Sequence, residues 1–414
     1  MEVLVHLAPR FDTDTAAALA GELYGVVARA EPLPSERDQN FRLTQPDGTR
    51  YVLKIANAAE DPGVLDLQHQ ALSRAAATTL AVPRVVPARD GRTVVEVVGP
   101  GGLVHRVRLF TWVEGVELAR VRPHDEGLLR SLGRRVAELD RALAGLEHPA
   151  MHRRLPWDLA QADWLAGELD RIPEPDLRDH AARAADRFAR AVAPALARLR
   201  RALIHNDWND WNAIVSPAVD APREVIGVVD FGDLVRSHLV CDVAIAAAYA
   251  SLGKPDPLAA AAAVVGGYHE VLPLEEAELA LLFDLIELRL CVSVAMAARQ
   301  RAMAPANAYL EISQPEVAAA LRRLAAVPRE WAHIRFRAAC GFEPFPRAAA
   351  VRAWLAGARD RVAPLLGRPI EPERLVVLDL GAGSLELGDP DEARDPGRLA
   401  RRLAARLADT GAAV

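Results

Sequence analysis

Two short motifs bring carboxylates and an amide together at spacings that suit phosphoryl transfer. His205, Asp207 and Asn212 form the pattern H-x-D-x-x-x-x-N, and Asp230 opens an Asp-Phe-Gly sequence further along the chain. Transfer of a phosphoryl group to a hydroxyl needs a carboxylate that orients the acceptor, and oxygen ligands for the metal ion that shields the phosphates. Each motif follows an apolar, strand-like run, so both are expected at strand ends facing one cleft. Either motif alone would be an ordinary loop, but together and in this order they predict a phosphotransferase centre.

These residues resemble the kinase superfamily, specifically its aminoglycoside and choline phosphotransferase branch. The run VVDFGD, followed by VCDVAIAAAYA, is similar to hydroxylysine kinase-like proteins, and residues 15–330 carry the resemblance. Asn206 stands where protein kinases have the Arg of H-R-D, and no A-P-E segment follows the Asp-Phe-Gly, which disfavours a protein substrate. The resemblance implies that Asp207 is the catalytic carboxylate, that His205 braces its loop, and that Asn212 and Asp230 bind Mg²⁺.

Three further acids lie close to the two motifs. Asp242 matches the family's acidic residue that steadies the catalytic loop from the following helix. A carboxylate near a helix N-terminus is also favoured by the helix dipole, and the two explanations are compatible. Asp210 and Asp233 are candidates for contact with substrate or metal, with solvated loop residues as the alternative.

Lys54, in the sequence Tyr-Val-Leu-Lys-Ile, matches the strand lysine that reaches the α- and β-phosphates in this superfamily. A strand lysine flanked by apolar residues is otherwise an outward, solvated side chain. The helix expected over residues 62–77 lacks the glutamate that normally pairs with this lysine. Asp66 or Gln68 is expected to take its place, and the sequence does not choose between them.

The nucleotide is expected to be held largely by backbone groups. Residues 34–40 read PSERDQN where a glycine-rich loop is normal, so Ser35, Asn40 and nearby N–H groups are expected to cover the phosphates. Residues 109–115 resemble the hinge between lobes, where Trp112 and Val113 would offer backbone groups to the purine of ATP or GTP. A strand that ends in a glycine turn has the same sequence pattern.

An apolar helical run, LLFDLIELRL, carries Asp284, Glu287 and Arg289. The related branch binds amino-bearing acceptors, whose ammonium group favours carboxylates and whose carboxylate, if present, favours arginine. Asp284 and Arg289 are therefore candidate acceptor ligands, although a solvated helix face is the alternative for each. Trp208 and Trp211 are expected either to shape this pocket or to belong to the core.

The pattern of elements predicts an α+β, bilobal, protein-kinase-like fold with three regions. Residues 1–112 are rich in strand signals and form a small antiparallel-sheet N-lobe that binds the nucleotide. Residues 113–330 are rich in Ala, Leu and Arg at helical spacing and form a mainly helical C-lobe with the catalytic loop and acceptor site. Residues 331–414 form a small C-terminal linker or extension.

Composition narrows the class of protein. The chain has 414 residues, a formal net charge of −6 and no basic face, which argues against nucleic acid as a partner. The N-terminus does not resemble a signal peptide, and no apolar run approaches the roughly 20 residues needed to cross a bilayer. Three widely spaced cysteines suit a reducing compartment. We therefore expect a cytoplasmic enzyme without a membrane partner.

Residues 376–384, VVLDLGAGS, resemble the first motif of S-adenosylmethionine-dependent methyltransferases. Too few residues follow for such a domain, and Glu386 replaces the third glycine of G-x-G-x-x-G. The segment is closer to the linker of fusion proteins that join a kinase of this branch to a peptidase-like module and a class III, pyridoxal-phosphate-dependent aminotransferase module. The resemblance implies such modules as fused or adjacent partners and a chain that is a fragment or a shortened relative.

The sequence thus predicts a small-molecule kinase that phosphorylates a hydroxyl of an amino alcohol or hydroxy-amino acid. An antibiotic-modifying phosphotransferase is the alternative within enzymes, and it requires a wide acidic cleft for a polycationic drug. A nucleotide-binding pseudokinase or scaffold is the alternative of another class. The altered glutamate position favours it, whereas the presence of Lys54, Asp207, Asn212 and Asp230 counts against it.

Overall fold

The computed structural model describes residues 7–35, 37–217, 222–303, 314–343 and 348–361. The strands are β1 Arg29–Leu33, β2 Gln39–Thr44, β3 Arg50–Ile55, β4 Val85–Val86, β5 Val95–Val98, β6 Val104–Thr111, β7 Val116–Glu117, β8 Arg201–Ile204, β9 Ala213–Val215, β10 Val225–Val228 and β11 Val235–His238. The helices are α1 Thr13–Leu19, α2 Pro62–Ala75, α3 Glu126–Leu143, α4 Pro175–Arg187, α5 Ala193–Leu196, α6 Leu239–Ala250, α7 Pro257–Val271, α8 Glu276–Leu279, α9 Leu282–Met303, α10 Gln314–Leu324, α11 Arg329–Ala339 and α12 Ala348–Gly357.

An antiparallel sheet forms the N-lobe, as the sequence predicts. Its strands run in the order β1-β2-β3-β6-β4, and β5 also pairs with β6. The inward-facing side chains of β2 and β3 are apolar and buried: Phe41, Leu43, Leu53 and Ile55. Because side chains alternate along a strand, Lys54 points to the other face, between Asn40 on β2 and Arg108 on β6.

Helices α1 and α2 both contact this sheet. The helix predicted over residues 62–77 is found as α2, Pro62–Ala75, whose Gln68 and His69 contact Arg108 and Phe110 of β6. Leu67, Ala71 and Leu72 of α2 join the core of the helical lobe, while α1 contributes Ala16 and Leu19 to the core of the sheet. The apolar face of α2 is therefore shared between the lobes, where it can support the site.

The C-lobe is built on closely packed helices with two small sheets beside them. Helix α3 crosses α7 so closely that a Cβ on Gly133 would lie 1.9 Å from the carbonyl oxygen of Val264. Helices α6 and α9 complete this core. The pair β8 and β11 and the three-stranded sheet β10-β9-β7 lie next to it. The two sequence motifs leave β8 and β10, so both begin at strand ends as expected.

Strand and helix positions show where the two lobes meet and how far the C-lobe core extends. The first lobe's last strand ends at Thr111, and β7 already pairs with β9 of the C-lobe, so the junction falls near residues 112–115. The expected boundary after residue 330 falls inside α11, Arg329–Ala339, whose Ala332 and Phe336 are buried in the C-lobe core. Helix α11 is therefore part of the C-lobe, because its apolar face continues across that boundary.

The strand expected at residues 375–380, the methyltransferase-like segment at 376–384 and the helix expected at 397–407 lie outside the described residues. Within the described part of the chain, none of the helices is both long enough and apolar enough to cross a membrane.

Candidate active site

The catalytic loop is fixed from behind by one buried carboxylate. Asp242, near the start of α6, accepts hydrogen bonds from the backbone N–H groups of His205 and Asn206, at 3.1 and 2.7 Å. It also accepts one from the indole N–H of Trp208 at 3.2 Å. Asn206 has a φ of 66°, a left-handed conformation that costs energy unless its surroundings enforce it. Asp242 thus holds the loop in the shape that presents Asp207, as the family resemblance implies.

His205 joins the two motifs and is entirely buried. Its ring packs edge-on against Phe231 of the Asp-Phe-Gly segment, with 5.0 Å between ring centres, and its Nδ1 accepts a hydrogen bond from the backbone N–H of Asp207. Burial lowers the pKa of His205, which keeps the ring neutral. A neutral, buried imidazole suits the bracing role predicted from the sequence and not a direct role in proton transfer.

Asp207 is held in one orientation by three side chains. Its Oδ2 accepts hydrogen bonds from the amides of Asn212 at 2.8 Å and Asn209 at 3.0 Å. Its Oδ1 accepts one from the guanidinium of Arg289 at 3.2 Å. Because all three donors surround the carboxylate, little reorganisation is needed before it acts.

Burial raises the pKa of Asp207 to about 7. The carboxylates of Asp233 and Asp230 add to this rise, and the positive charge of Arg289 opposes it. A general base works best when its pKa lies near the working pH, because it is then both ionised and able to take a proton. The environment of Asp207 is of this kind.

Asp230 follows β10 and faces the N-lobe. It has a φ of 61°, and its Oδ1 lies 3.0 Å from the Nζ of Lys54. The charge of Lys54 lowers the pKa of Asp230 to about 2, so this carboxylate is ionised at neutral pH. Arg153 fixes the turn that follows by donating to the carbonyl oxygens of Gly232 at 2.6 Å and Leu234 at 2.9 Å.

Neither sequence candidate for the partner of Lys54 contacts it. The Oε1 of Gln68 accepts a hydrogen bond at 2.6 Å from Arg108, a fully buried arginine on β6. Asp66 lies on another face of α2, where it accepts from His148 at 3.1 Å. That prediction is wrong because Gln68 is hydrogen-bonded to Arg108, and Asp66 is hydrogen-bonded to His148. Lys54 pairs across the cleft with Asp230 instead.

The residues expected to bind the nucleotide fall into two groups. Ser35 and Asn40 line the cleft together with Lys54. The hinge residues Trp112 and Val113 do not line it. The backbone N–H of Trp112 donates to the carbonyl of Arg50 at 3.2 Å, so this group is used within the sheet edge, and the contact of the hinge with the purine stays a prediction.

Two oxygen donors in the cleft fit a magnesium ion. Among the described residues, no group of three or more His, Cys, Asp and Glu side chains could hold a metal by itself. Mg²⁺ in phosphoryl-transfer sites commonly takes one or two protein oxygens together with water and substrate phosphates. The amide nitrogen of Asn212 donates to both the backbone and side-chain oxygens of Asp207, which turns its own amide oxygen outward. That oxygen and the ionised Asp230 form a suitable pair.

Known proteins agree with this geometry. Residues 29–282 match the phosphotransferase enzyme family, and this range is more than half of the chain. The chain belongs to that family. This phosphotransferase is 29% identical over 304 residues to a hydroxylysine kinase of Danio rerio, a match covering 71% of this chain and 82% of that protein. It is 29% identical over 327 residues to a hydroxylysine kinase of Mus musculus, covering 74% and 87% of the two chains.

Solved structures support the bilobal, protein-kinase-like fold. An amicoumacin kinase in complex with AMP-PNP, Ca²⁺ and its ligand aligns with a TM-score of 0.57 and 16% identity, covering 80% of this phosphotransferase and 96% of that chain. A microcompartment-associated aminopropanol kinase aligns with a TM-score of 0.53 and 22% identity, covering 80% and 99%. The fold class predicted from the sequence is thereby confirmed for the two lobes.

The acceptor candidates of this phosphotransferase separate into two pairs. Arg289 and Asp233 line the cleft with Asp207, whereas Asp210 and Asp284 do not. Asp284 accepts from Arg329 at 2.8 Å and lies 3.5 Å from Arg187, so its charge is used between helices of the C-lobe. Burial raises the pKa of Asp210 to about 6, although its side chain is directed away from the cleft lining. Asp284 therefore lies away from the cleft, and the acceptor role expected for Asp210 stays a prediction.

Sequence reasoning missed several residues that the cleft uses. Trp157 and Tyr249 flank Arg289, with 4.7 and 5.4 Å from its guanidinium carbon to their ring centres. The carbonyl of Trp157 also accepts from Arg289 at 2.9 Å. Of the loop tryptophans, Trp211 lines the cleft while Trp208 is buried core. An aromatic residue far away in the chain gives no local signal, and only the fold brings Trp157 to this site.

Proposed function

We propose that this phosphotransferase moves the γ-phosphoryl group of ATP or GTP to a hydroxyl of an amino alcohol or hydroxy-amino acid. The observation that carries the proposal is the fixed, partly buried carboxylate of Asp207, which lines one cleft together with the Lys54–Asp230 pair. The hydroxylysine kinase relatives support an acceptor that carries both an amino group and a hydroxyl. The N-lobe would bind the nucleotide and the C-lobe the acceptor.

Asp207 orients the acceptor hydroxyl and takes its proton as the phosphoryl group arrives. Asn212 and Asp230 would hold Mg²⁺, which supplies positive charge to the phosphates when it is bound. His205 and Asp242 keep the loop in place and do not touch the acceptor. Because the ionised form of Asp207 is the active one, kcat/KM should rise with pH through about 7 and level off above it.

On the nucleotide side, Lys54 leaves Asp230 and binds the α- and β-phosphates. Ser35 and Asn40 cover the phosphates from the loop of residues 34–40, beside β2. Lys54 and Asp230 are paired at 3.0 Å before the nucleotide binds. Both side chains are therefore already close to the places where they would bind the phosphates and Mg²⁺. This arrangement supports a working kinase over a scaffold that only binds nucleotide.

The acceptor end favours a hydroxy-amino acid over a polycationic antibiotic. Arg289 is 1% exposed and keeps its positive charge beside Asp207. A guanidinium attracts a carboxylate, so Arg289 favours an acceptor that carries one. Trp157 and Tyr249 each have one face against this guanidinium, so those two faces are occupied by a cation of the protein itself.

A nucleotide-consumption screen tests the proposal. The full chain, Mg²⁺ and either ATP or GTP are combined with hydroxylysine, homoserine, threonine, ethanolamine, choline or an aminoglycoside panel, and product is identified by mass. We expect turnover with a hydroxy-amino acid and a raised acceptor KM in Arg289→Met. Turnover restricted to aminoglycosides would overturn the acceptor class. Bound nucleotide without turnover of any compound would favour the pseudokinase alternative.

We infer a cytoplasmic location because ATP and GTP are available there and because Cys241, Cys291 and Cys340 are unpaired. The peptidase-like and pyridoxal-phosphate-dependent modules implied by the sequence resemblance stay a prediction. If they act with this kinase, the phosphoester that it makes would be their substrate.

A further inference from the structure

The loop of residues 34–40, which the proposed function places over the phosphates, contains an arginine and no glycine. Residues 34–40 include no glycine, so the backbone cannot approach a phosphate through the turns that glycine allows. Arg37, in this loop, reaches across the cleft, and its Nη2 lies 2.6 Å from the Oδ1 of Asp233. The side chains are 35% and 12% exposed, so this is a partly buried pair that joins the two lobes.

The Arg37–Asp233 pair repeats the arrangement of Lys54 and Asp230. In each pair a cation from the N-lobe meets a carboxylate at one turn of the C-lobe, at 2.6 and 3.0 Å. Arg153 fixes that turn through its backbone carbonyls, so the carboxylates are the anchored ends and the cations are the ends that can move. Arg37 also lies over the turn, with its Nη2 3.9 Å from the position of a Cβ on Gly232.

Space in the cleft indicates that these pairs separate when a nucleotide enters. The cavity between the lobes has a volume of about 230 Å³, and Arg37, Lys54, Asp230 and Asp233 all line it. Small-molecule sites usually enclose roughly 300–1,000 Å³. A nucleoside triphosphate must therefore part the lobes or displace a pair. A guanidinium that loses a carboxylate can bind phosphate oxygens in the same forked geometry.

We propose that Arg37 exchanges Asp233 for the terminal phosphates of the bound nucleotide and does the work of the missing glycine-rich loop. The proposal rests on the proposed function, because it assumes a nucleoside triphosphate in this cleft. It assigns to Arg37 direct contact with substrate, and to Asp233 the role of holding Arg37 until the substrate arrives.

Isothermal titration calorimetry on the full chain separates phosphate binding from simple lobe closure. Mg·ATP, Mg·ADP and AMP are titrated into wild type, Arg37→Met, Arg37→Lys and Asp233→Asn. Arg37→Met should weaken Mg·ATP binding by roughly 10- to 100-fold and leave AMP binding unchanged, because only the terminal phosphates lose a charged hydrogen bond. Arg37→Lys should recover part of the loss. Asp233→Asn should bind Mg·ATP as tightly as wild type or more tightly, because it removes a carboxylate that competes with the phosphates for the guanidinium.

Arg92 and Asp90 provide a matched control, since they form an exposed Arg–Asp pair of the same 2.6 Å length away from the cleft. Arg92→Met should leave all three affinities unchanged. Equal affinity of wild type and Arg37→Met for Mg·ATP would overturn the proposal. A loss in Asp233→Asn equal to that in Arg37→Met would also overturn it, because it would assign both residues to lobe closure. If the wild type binds ATP but phosphorylates no acceptor, the proposed function is wrong. The titrations of wild type and Arg37→Met would still decide whether Arg37 contacts the phosphates.

Discussion

The two walls of the cleft are held in different ways. On the C-lobe wall, Asp207 and Asp242 each accept hydrogen bonds from three groups of the same lobe. On the N-lobe wall, Lys54 and Arg37 reach out of their own lobe to carboxylates on the opposite wall. The C-lobe wall is therefore complete before substrate binds, whereas the N-lobe wall is arranged to change partners. Chemistry is assigned to the first and nucleotide capture to the second.

The largest expected effect is on the fixed wall. Asp207→Asn keeps the size of the side chain but removes its ability to take a proton, so kcat should fall by roughly 10²- to 10⁴-fold. Nucleotide affinity should change little, because Lys54 on the other wall binds the phosphates. Steady-state kinetics and calorimetry on the same preparation measure the two quantities. Turnover near the wild-type rate would refute the assignment of Asp207 as the base.

The second prediction concerns the carboxylate behind the loop. Asp242→Asn presents an amide N–H₂ to donors that need an acceptor, and it should lower the free energy of unfolding by about 2–4 kcal/mol. Asp140, 1% exposed, gives the matched control. Burial and the neighbouring Asp242 raise the pKa of Asp140 well above its usual range, and Tyr268 donates to it at 2.7 Å.

An amide resembles a protonated carboxyl group, so Asp140→Asn should cost less than about 1 kcal/mol. Urea denaturation of both variants measures the difference. Equal losses would mean that Asp140 is ionised and that the two carboxylates support the loop in the same way.

The third prediction concerns the wall that changes partners. Lys54→Met should weaken Mg·ATP binding by about 10- to 100-fold, because a charged contact to the phosphates is lost. The unfolding free energy should change far less, since Lys54 and Asp230 are 21% and 49% exposed and exposed ion pairs contribute little to stability. If Lys54→Met instead lost much stability and kept its affinity for ATP, Lys54 would be a structural residue and would not bind the phosphates.

The same contrast explains what could be predicted from the sequence. The fixed wall was predictable, because Asp207, Asn212 and Asp230 lie at short spacings behind strand-like runs, and local spacing survives folding. The partner of Lys54 could not be predicted. It depends on which side of α2 faces the sheet and on the hydrogen bond between Arg108 and Gln68. Arg37 and Trp157 were missed because their roles depend on contacts with residues far away in the chain, Asp233 and Arg289, which leave no local sequence pattern.

The smallest effect is expected within α9, where the sequence named two acceptor ligands and the fold separates them. Asp284 and Arg289 are five residues apart, which places them about 140° apart around a helix. Arg289 meets Asp207 in the cleft, while Asp284 meets Arg329 between helices. Asp284→Asn should therefore lower stability by about 1 kcal/mol without changing the acceptor KM. Arg289→Met, on the same helix, should raise that KM. A raised acceptor KM in Asp284→Asn would contradict this prediction, because it would mean that Asp284 contributes to acceptor binding.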